Sequence, residues 1–128
     1  MRCLDTTFCI DFSNGLQAAR TKVDELESQG EHLAIAAPAL TEFLVGAFSQ
    51  EGKKLTQALE FVSRLETLEV TESIAMDAAR LGGECIRRGR AVGVMDLQIA
   101  AAARAHRGVV LTRDPDFSRI PGLSTETY

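Results

Sequence analysis

The feature that most constrains this chain is the alternation of very short apolar runs with longer segments of helical period. Arg2-Cys3-Leu4, Leu33-Ala34-Ile35-Ala36, Leu68-Glu69-Val70 and Val109-Val110-Leu111-Thr112 are each too short for a helix. The fourth is apolar and β-branched, as strands buried on both faces of a parallel sheet are. Between them, apolar residues recur at three- and four-residue steps, the period of one helix face. Phe8, Phe12, Leu16, Ala19, Val23 and Leu26 form one such series, broken by Asn14-Gly15 into two expected helices. Thr6 or Thr7, or Asp5 before them, is placed to cap the first. Pro38 opens a helix with the stripe Leu40, Phe43, Leu44, Ala47 and Phe48, and Glu51-Gly52-Lys53 stops it. Leu55, Ala58, Leu59, Val62 and Leu65 mark another. Thr71 caps a long one bearing Ile74, Ala78, Leu81, Cys85 and Ile86, and an alanine-dense helix runs from Met95 to about His106. Asp114-Pro115-Asp116 reads as a turn and Phe117 to Tyr128 as a short tail.

Strands separated by helices require crossover connections, so the expected fold is α/β, three-layered α/β/α, with a short and mainly parallel central sheet. At 128 residues, without a linker, internal repeat or low-complexity tract, the expectation is one domain over 1–128. A hydrophobic fraction of 45% and a net charge of −4 exclude a disordered chain. The charged N-terminus resembles no signal peptide. Cys3, Cys9 and Cys85 are odd in number and lack a C-x-x-C spacing, which points to buried thiols in a reducing cytoplasm.

Charge is unevenly spread. From Arg80 to Arg119 there are eight arginines against four acids, while the remainder holds six basic and fourteen acidic residues. The overall balance argues against indiscriminate nucleic-acid binding but allows a local basic rim.

The acids fall at the ends of elements: Asp5 after the first strand, Glu42 early in the helix after the second, Asp96 at the start of the alanine-rich helix, and Asp114 and Asp116 after the fourth strand. In a parallel sheet these positions share the edge where ligands bind. Carboxylates gathered there repel unless a cation lies between them, and an all-oxygen donor set suits Mg²⁺ or Mn²⁺. His32 and His106 lack the spacing of a zinc pair, and no glycine-rich phosphate loop or G-x-S-x-G is present. Phosphoryl chemistry at a carboxylate-held metal, with arginines positioning a polyanion, is the reading that remains.

Four pieces then carry a family resemblance. They are Leu4-Asp5-Thr6-Thr7, Pro38-x-x-Thr41-Glu42-Phe43, Val94-x-Asp96-Leu97-x-Ile99-Ala100-Ala101, and Leu111-Thr112-Arg113-Asp114-Pro115-Asp116-Phe117 followed by Ile120-Pro121-Gly122-Leu123. In this order the chain resembles the PIN-domain ribonucleases of the VapC toxin type. The resemblance implies a Mg²⁺- or Mn²⁺-dependent endoribonuclease, the toxin of a toxin–antitoxin pair. It implies catalytic, metal-binding acids at Asp5, Glu42, Asp96 and Asp114, with Asp116 as an outer or alternative ligand. Arg87, Arg88 and Arg90, clustered at a helix end, are candidates for RNA contact on charge alone, while the resemblance makes Thr6 and Thr112 supporting hydroxyls and Arg113 a further contact candidate. It also implies a homodimer and a VapB-like antitoxin partner, in a heterotetramer or larger assembly. Two other readings stay open. A phospho-acceptor signalling domain would want a lysine after a late strand, whereas the last lysine is Lys54. A non-catalytic PIN-fold binding module would show an incomplete acid set.

Overall fold

The computed structural model describes all 128 residues. In chain order it comprises β1 (Arg2–Leu4), α1 (Thr6–Ser13), α2 (Gln17–Ser28), β2 (Leu33–Ala36), α3 (Ala37–Gln50), α4 (Gly52–Ser63) and β3 (Glu66–Leu68). There follow α5 (Glu72–Arg87), α6 (Val94–Ala105), β4 (Val109–Leu111), a 3-10 helix (Pro115–Arg119) and β5 (Thr125–Glu126). The strands form one sheet in the order β3-β2-β1-β4-β5, and every pairing is parallel. Six helices flank it.

Local chemistry accounts for most boundaries. Asp5, rather than Thr6 or Thr7, caps α1, its Oδ1 accepting the Phe8 N–H at 2.7 Å. Asn14-Gly15 separates α1 from α2, with Gly15 at φ +81°, where a side chain would be strained. Pro38 sits in the first turn of α3, where its missing N–H costs nothing. Thr71 caps α5 through the Ile74 N–H.

Two expectations are corrected. The third strand is Glu66–Leu68, not Leu68–Val70. Its partner β2 ends at Ala36 opposite Leu68, because α3 begins at the next residue, so no ladder remains for Glu69 and Val70. The tail is not irregular: Pro115–Arg119 is helical, and Thr125–Glu126 extends the sheet as a fifth strand. The apolar stripes are partly buried and partly exposed. Phe43 and Ala47 reach the core, but Phe48 is 56% exposed and Ile86, in the last turn of α5, is 67% exposed.

The core runs along the sheet and under α6, whose Ile99 to Ala103 are all buried. Small side chains there let helices approach closely: at Gly82 of α5 a Cβ would stand 2.7 Å from Leu97 Cδ1 of α6. That contact seats the first turn of α6, which carries Asp96. All three cysteines are free and buried, and burial pushes the Cys3 thiol up to about 12. No helix is long and apolar enough to cross a membrane.

Candidate active site

Strand order reverses about β1. Strands β1 to β3 step one way across the sheet, and β4 and β5 lie on the other side of β1. The carboxyl ends of β1 and β4 therefore flank a topological switch point, the crevice where open parallel sheets bind ligands. Asp5 follows β1 and Thr112 follows β4, with Leu4 and Leu111 in register beneath them.

Thr112 joins the two segments. Its side chain is buried; the hydroxyl donates to Asp5 Oδ2 and accepts the Asp114 N–H at 2.9 Å. The direction is fixed because a carboxylate can only accept. Asp114 then caps the 3-10 helix, its Oδ1 taking the Asp116 N–H at 2.9 Å. Two acids separated by one proline are thereby turned toward the same space. Thr6 Oγ1, beside Asp5, is buried without a hydrogen-bond partner.

The tightest group is Asp96, Asp114 and Asp116, each offering a carboxylate oxygen, all within 4.8 Å of one another. Asp5, 2% exposed, and Glu42, exposed on α3, stand outside this group. Both still act on it. Burial raises the Asp96 carboxyl to about 6, helped by the negative charges of Asp114, Asp5, Glu42 and Asp116. Asp5 is also raised, by burial, against hydrogen bonds from Thr112 and the Phe8 N–H that lower it. All five acids singled out in the sequence thus share one electrostatic neighbourhood, and Asp116 is nearer its centre than the sequence implied. The donor set fits a small hard dication: an octahedral Mg²⁺ shell holds its oxygens within about 4 Å of one another, a short contraction of the arrangement seen.

The arginines divide. Arg113 does not face the acids freely: its Nη2 lies 2.6 Å from Asp11 Oδ2 and its guanidinium stacks on Tyr128. Tyr128 donates to the same Asp11 oxygen and packs edge-on against Phe8. Arg87 lies back over Gly83 of its own helix. Arg88 and Arg90 reach a cleft beside the 3-10 helix together with Arg119, a residue sequence reading did not single out. Arg119 also binds Asp116 at 3.1 Å. Asp11 and Tyr128 were equally unmarked in the sequence, being 117 positions apart.

On the far side of α1, a cavity of about 310 Å³ opens between α1, α2 and α4. Phe12 and Phe61 stack along it at 4.2 Å, with Arg20 and Arg64 over their rings.

A five-stranded parallel sheet with a carboxylate cluster at its switch point describes a class of α/β proteins whose sheet edge can take a divalent cation. The family model for the PIN domain matches residues 2–123, and the chain belongs to that family. Its relatives include the tRNA(fMet)-specific endonuclease VapC of Shigella flexneri, 32% identical over 128 residues, covering 98% of this chain and 96% of the relative. Ribonuclease VapC19 of Mycobacterium tuberculosis is 35% identical over 108 residues, covering 82% and 80%. Among solved structures, VapBC2 of Rickettsia felis bound to a DNA fragment from its promoter superposes with a TM-score of 0.85 at 27% identity, covering 99% and 98%. DNA-bound VapBC of Salmonella typhimurium superposes at 0.84 and 29%, covering 98% and 96%.

Proposed function

We propose that the chain is a divalent-metal-dependent endoribonuclease and the toxin of a toxin–antitoxin pair. The observation that carries this reading is the convergence of Asp96, Asp114 and Asp116, with Asp5 and Glu42 around them, at the sheet's switch point in a fold shared with VapC ribonucleases. Asp96, Asp114 and Asp116 would hold Mg²⁺ or Mn²⁺, with Asp5 and Glu42 completing the negative field. When bound, such an ion activates water and offsets charge on a phosphoryl oxygen.

The chain's own groups do the rest. Thr112 aims Asp5 and favours its charged form by donating to it, and ties the Asp114 backbone to the same point. The α1 N-terminus supports the Asp5 charge through the Phe8 N–H. Raised carboxyls at Asp5 and Asp96 indicate charge held in a crowded, poorly hydrated place, the mark of a functional site rather than a solvated surface.

A phospho-acceptor role has no support, since no lysine lies beyond Lys54. The partner we infer is a VapB-like antitoxin seated in the Phe12–Phe61 groove, whose aromatic floor, edged by Arg20, Arg64 and Glu60, suits the apolar face of an amphipathic helix.

The test is RNA cleavage by the purified chain. Activity should require Mg²⁺ or Mn²⁺, stop in EDTA, be lost in Asp96→Asn, and leave 5′-phosphate and 3′-hydroxyl ends. Cleavage that persists in EDTA, or ends carrying 2′,3′-cyclic phosphate, would exclude this mechanism.

A further inference from the structure

Beyond the acids, a second site takes shape where the end of α5 meets the 3-10 helix. Helix α5 terminates in a Schellman motif. The Gly89 N–H bonds to the Ile86 carbonyl and the Arg90 N–H to the Cys85 carbonyl, both at 2.9 Å, with Gly89 at φ +73°. This turn fixes the backbone that carries Arg88 and Arg90, both of which line the cleft, Arg88 while held along α5 by Glu84. Arg119 approaches from the other element, its carbonyl 3.9 Å from the Cys85 thiol. The three arginines, with Cys85 and Ser118, line a cleft of about 370 Å³ that contains no acid in its wall. Glu84 takes Arg88 at 2.7 Å and Asp116 takes Arg119 at 3.1 Å from its rim, while Arg90 forms no ion pair.

Favourable helix-dipole placement accounts for cations at the end of α5. It does not account for Arg119, which belongs to a different element and converges on the same space. Arg119 also connects the cleft to the acid cluster, because its partner Asp116 is one of the three grouped carboxylates. An RNA strand whose scissile phosphate lies at the acids can therefore place a neighbouring phosphate among the arginines.

We propose that Arg88, Arg90 and Arg119 form a phosphate-binding cleft that grips the RNA backbone beside the scissile bond, a positioning site that rests on the ribonuclease reading. Guanidinium groups suit it because their planar fork meets phosphate oxygens in pairs. The cleft reads backbone and not base, so it sets the register of the strand on the acids and contributes affinity without sequence preference.

Binding of a fluorescein-labelled single-stranded RNA, followed by anisotropy in EDTA across a NaCl series, tests this. Each phosphate that is no longer neutralised lowers the slope of log affinity against log salt by about 0.7, so Arg88→Ala/Arg90→Ala should lower it by about 1.4. Arg90→Ala alone, at a side chain with no ion pair to break, should lower it by about 0.7. Arg88→Lys/Arg90→Lys should restore most of the slope, since a point charge still neutralises phosphate. Arg80→Ala removes the same charge on the same helix, outside the cleft, and should leave the slope intact. A wild-type slope in the double variant, or an equal fall in Arg80→Ala, would overturn the cleft. Mn²⁺-dependent cleavage by the unmodified chain, run in parallel, separates the two readings. Cleavage with an unaltered slope sinks the cleft alone, while absence of both cleavage and RNA binding sinks the ribonuclease reading and the cleft with it.

Discussion

At the scale of single residues, the site is defined by charge held against its own interest. Asp96 is the clearest case, half-buried and surrounded by four other carboxylates that help push its carboxyl up to about 6. In the unfolded chain it titrates near its ordinary 3.8. Between those values the folded chain binds more protons than the unfolded one, so metal-free stability falls as pH rises from about 4 to 6 and is level above. Moving a carboxyl that far is worth roughly 3 kcal/mol at face value, and solvent screening of a half-exposed group brings it to about 1–2 kcal/mol. Asp5 moves in the same direction and adds to the same slope. Asp96→Asn should therefore be more stable than the unmodified chain in EDTA at pH 7, by roughly 3–6 °C in Tm, and should flatten part of the pH dependence. It should also forfeit most of the Tm rise that Mn²⁺ gives by binding the native state. Thermal melts at pH 4 to 8, with EDTA or Mn²⁺, decide it. A variant less stable than the unmodified chain at pH 7 in EDTA would mean that Asp96 is a structural first-turn acid.

At the scale of elements, β5 shows how a two-residue strand holds the edge that carries the proposed site in place. The carbonyls of Ser124 and Glu126 accept from the N–H groups of Val110 and Thr112, each at 2.9 Å. Glu126 also ties to Arg2 at 2.6 Å, and Tyr128 covers the edge of Phe8. Thr112 is the residue that then orients Asp5 and Asp114. Ending the chain after Leu123 should cost on the order of 3 kcal/mol, from two hydrogen bonds at about 1 kcal/mol each and an aromatic pair of similar worth. The urea midpoint should drop with little change in slope, and the Mn²⁺-induced Tm shift should shrink because Thr112 is loosened. An unchanged midpoint would assign the last strand no part in the site. The same element marks the limit of sequence reading. Runs such as Val109–Leu111 and Leu33–Ala36 announce themselves because burial on both faces demands apolar residues throughout. Thr125–Glu126 joins β4 through backbone hydrogen bonds, and β3 takes its register from where β2 stops, so neither shows an apolar run in its own residues. Whereas Glu42 lies in the second turn of α3, Asp5, Asp96, Asp114 and Asp116 were legible because each sits at or next to an element's end. Arg119 was not, because its place in the cleft depends on α5, 34 residues earlier at Cys85. The Asp11–Arg113–Tyr128 cluster was hidden for the same reason, its members meeting across more than 100 positions.

At the scale of the whole molecule, the charge asymmetry and the uncovered apolar side chains both call for partners. Val45 and Phe48 on α3, Ile86 at the end of α5, and Val94 and Met95 at the start of α6 are all exposed. Those on α3 and α6 share their helices with Glu42 and Asp96, so a contact made there lies close to the acids. A two-fold contact between copies would bury these residues and bring two active sites into one assembly. The Phe12–Phe61 groove, by contrast, opens beside α2 and α4 and is the seat we propose for the antitoxin. An inhibitor anchored there can extend a basic side chain to the acids, where a guanidinium would replace the cation that five carboxylates demand. Co-expression with the product of the adjoining gene should therefore yield a heterotetramer or larger complex on sizing with light scattering, and the complex should show little Tm response to Mn²⁺. Gln57→Trp places a bulky ring in the groove, at an exposed position of α4, a helix that carries none of the five acids, and should weaken that complex at least tenfold while the free chain still cleaves RNA. Retained affinity in Gln57→Trp would move the partner elsewhere on the surface. A chain that runs as a monomer, binds nothing encoded beside it and fails to slow growth when expressed alone would end the toxin assignment, whatever its activity on RNA.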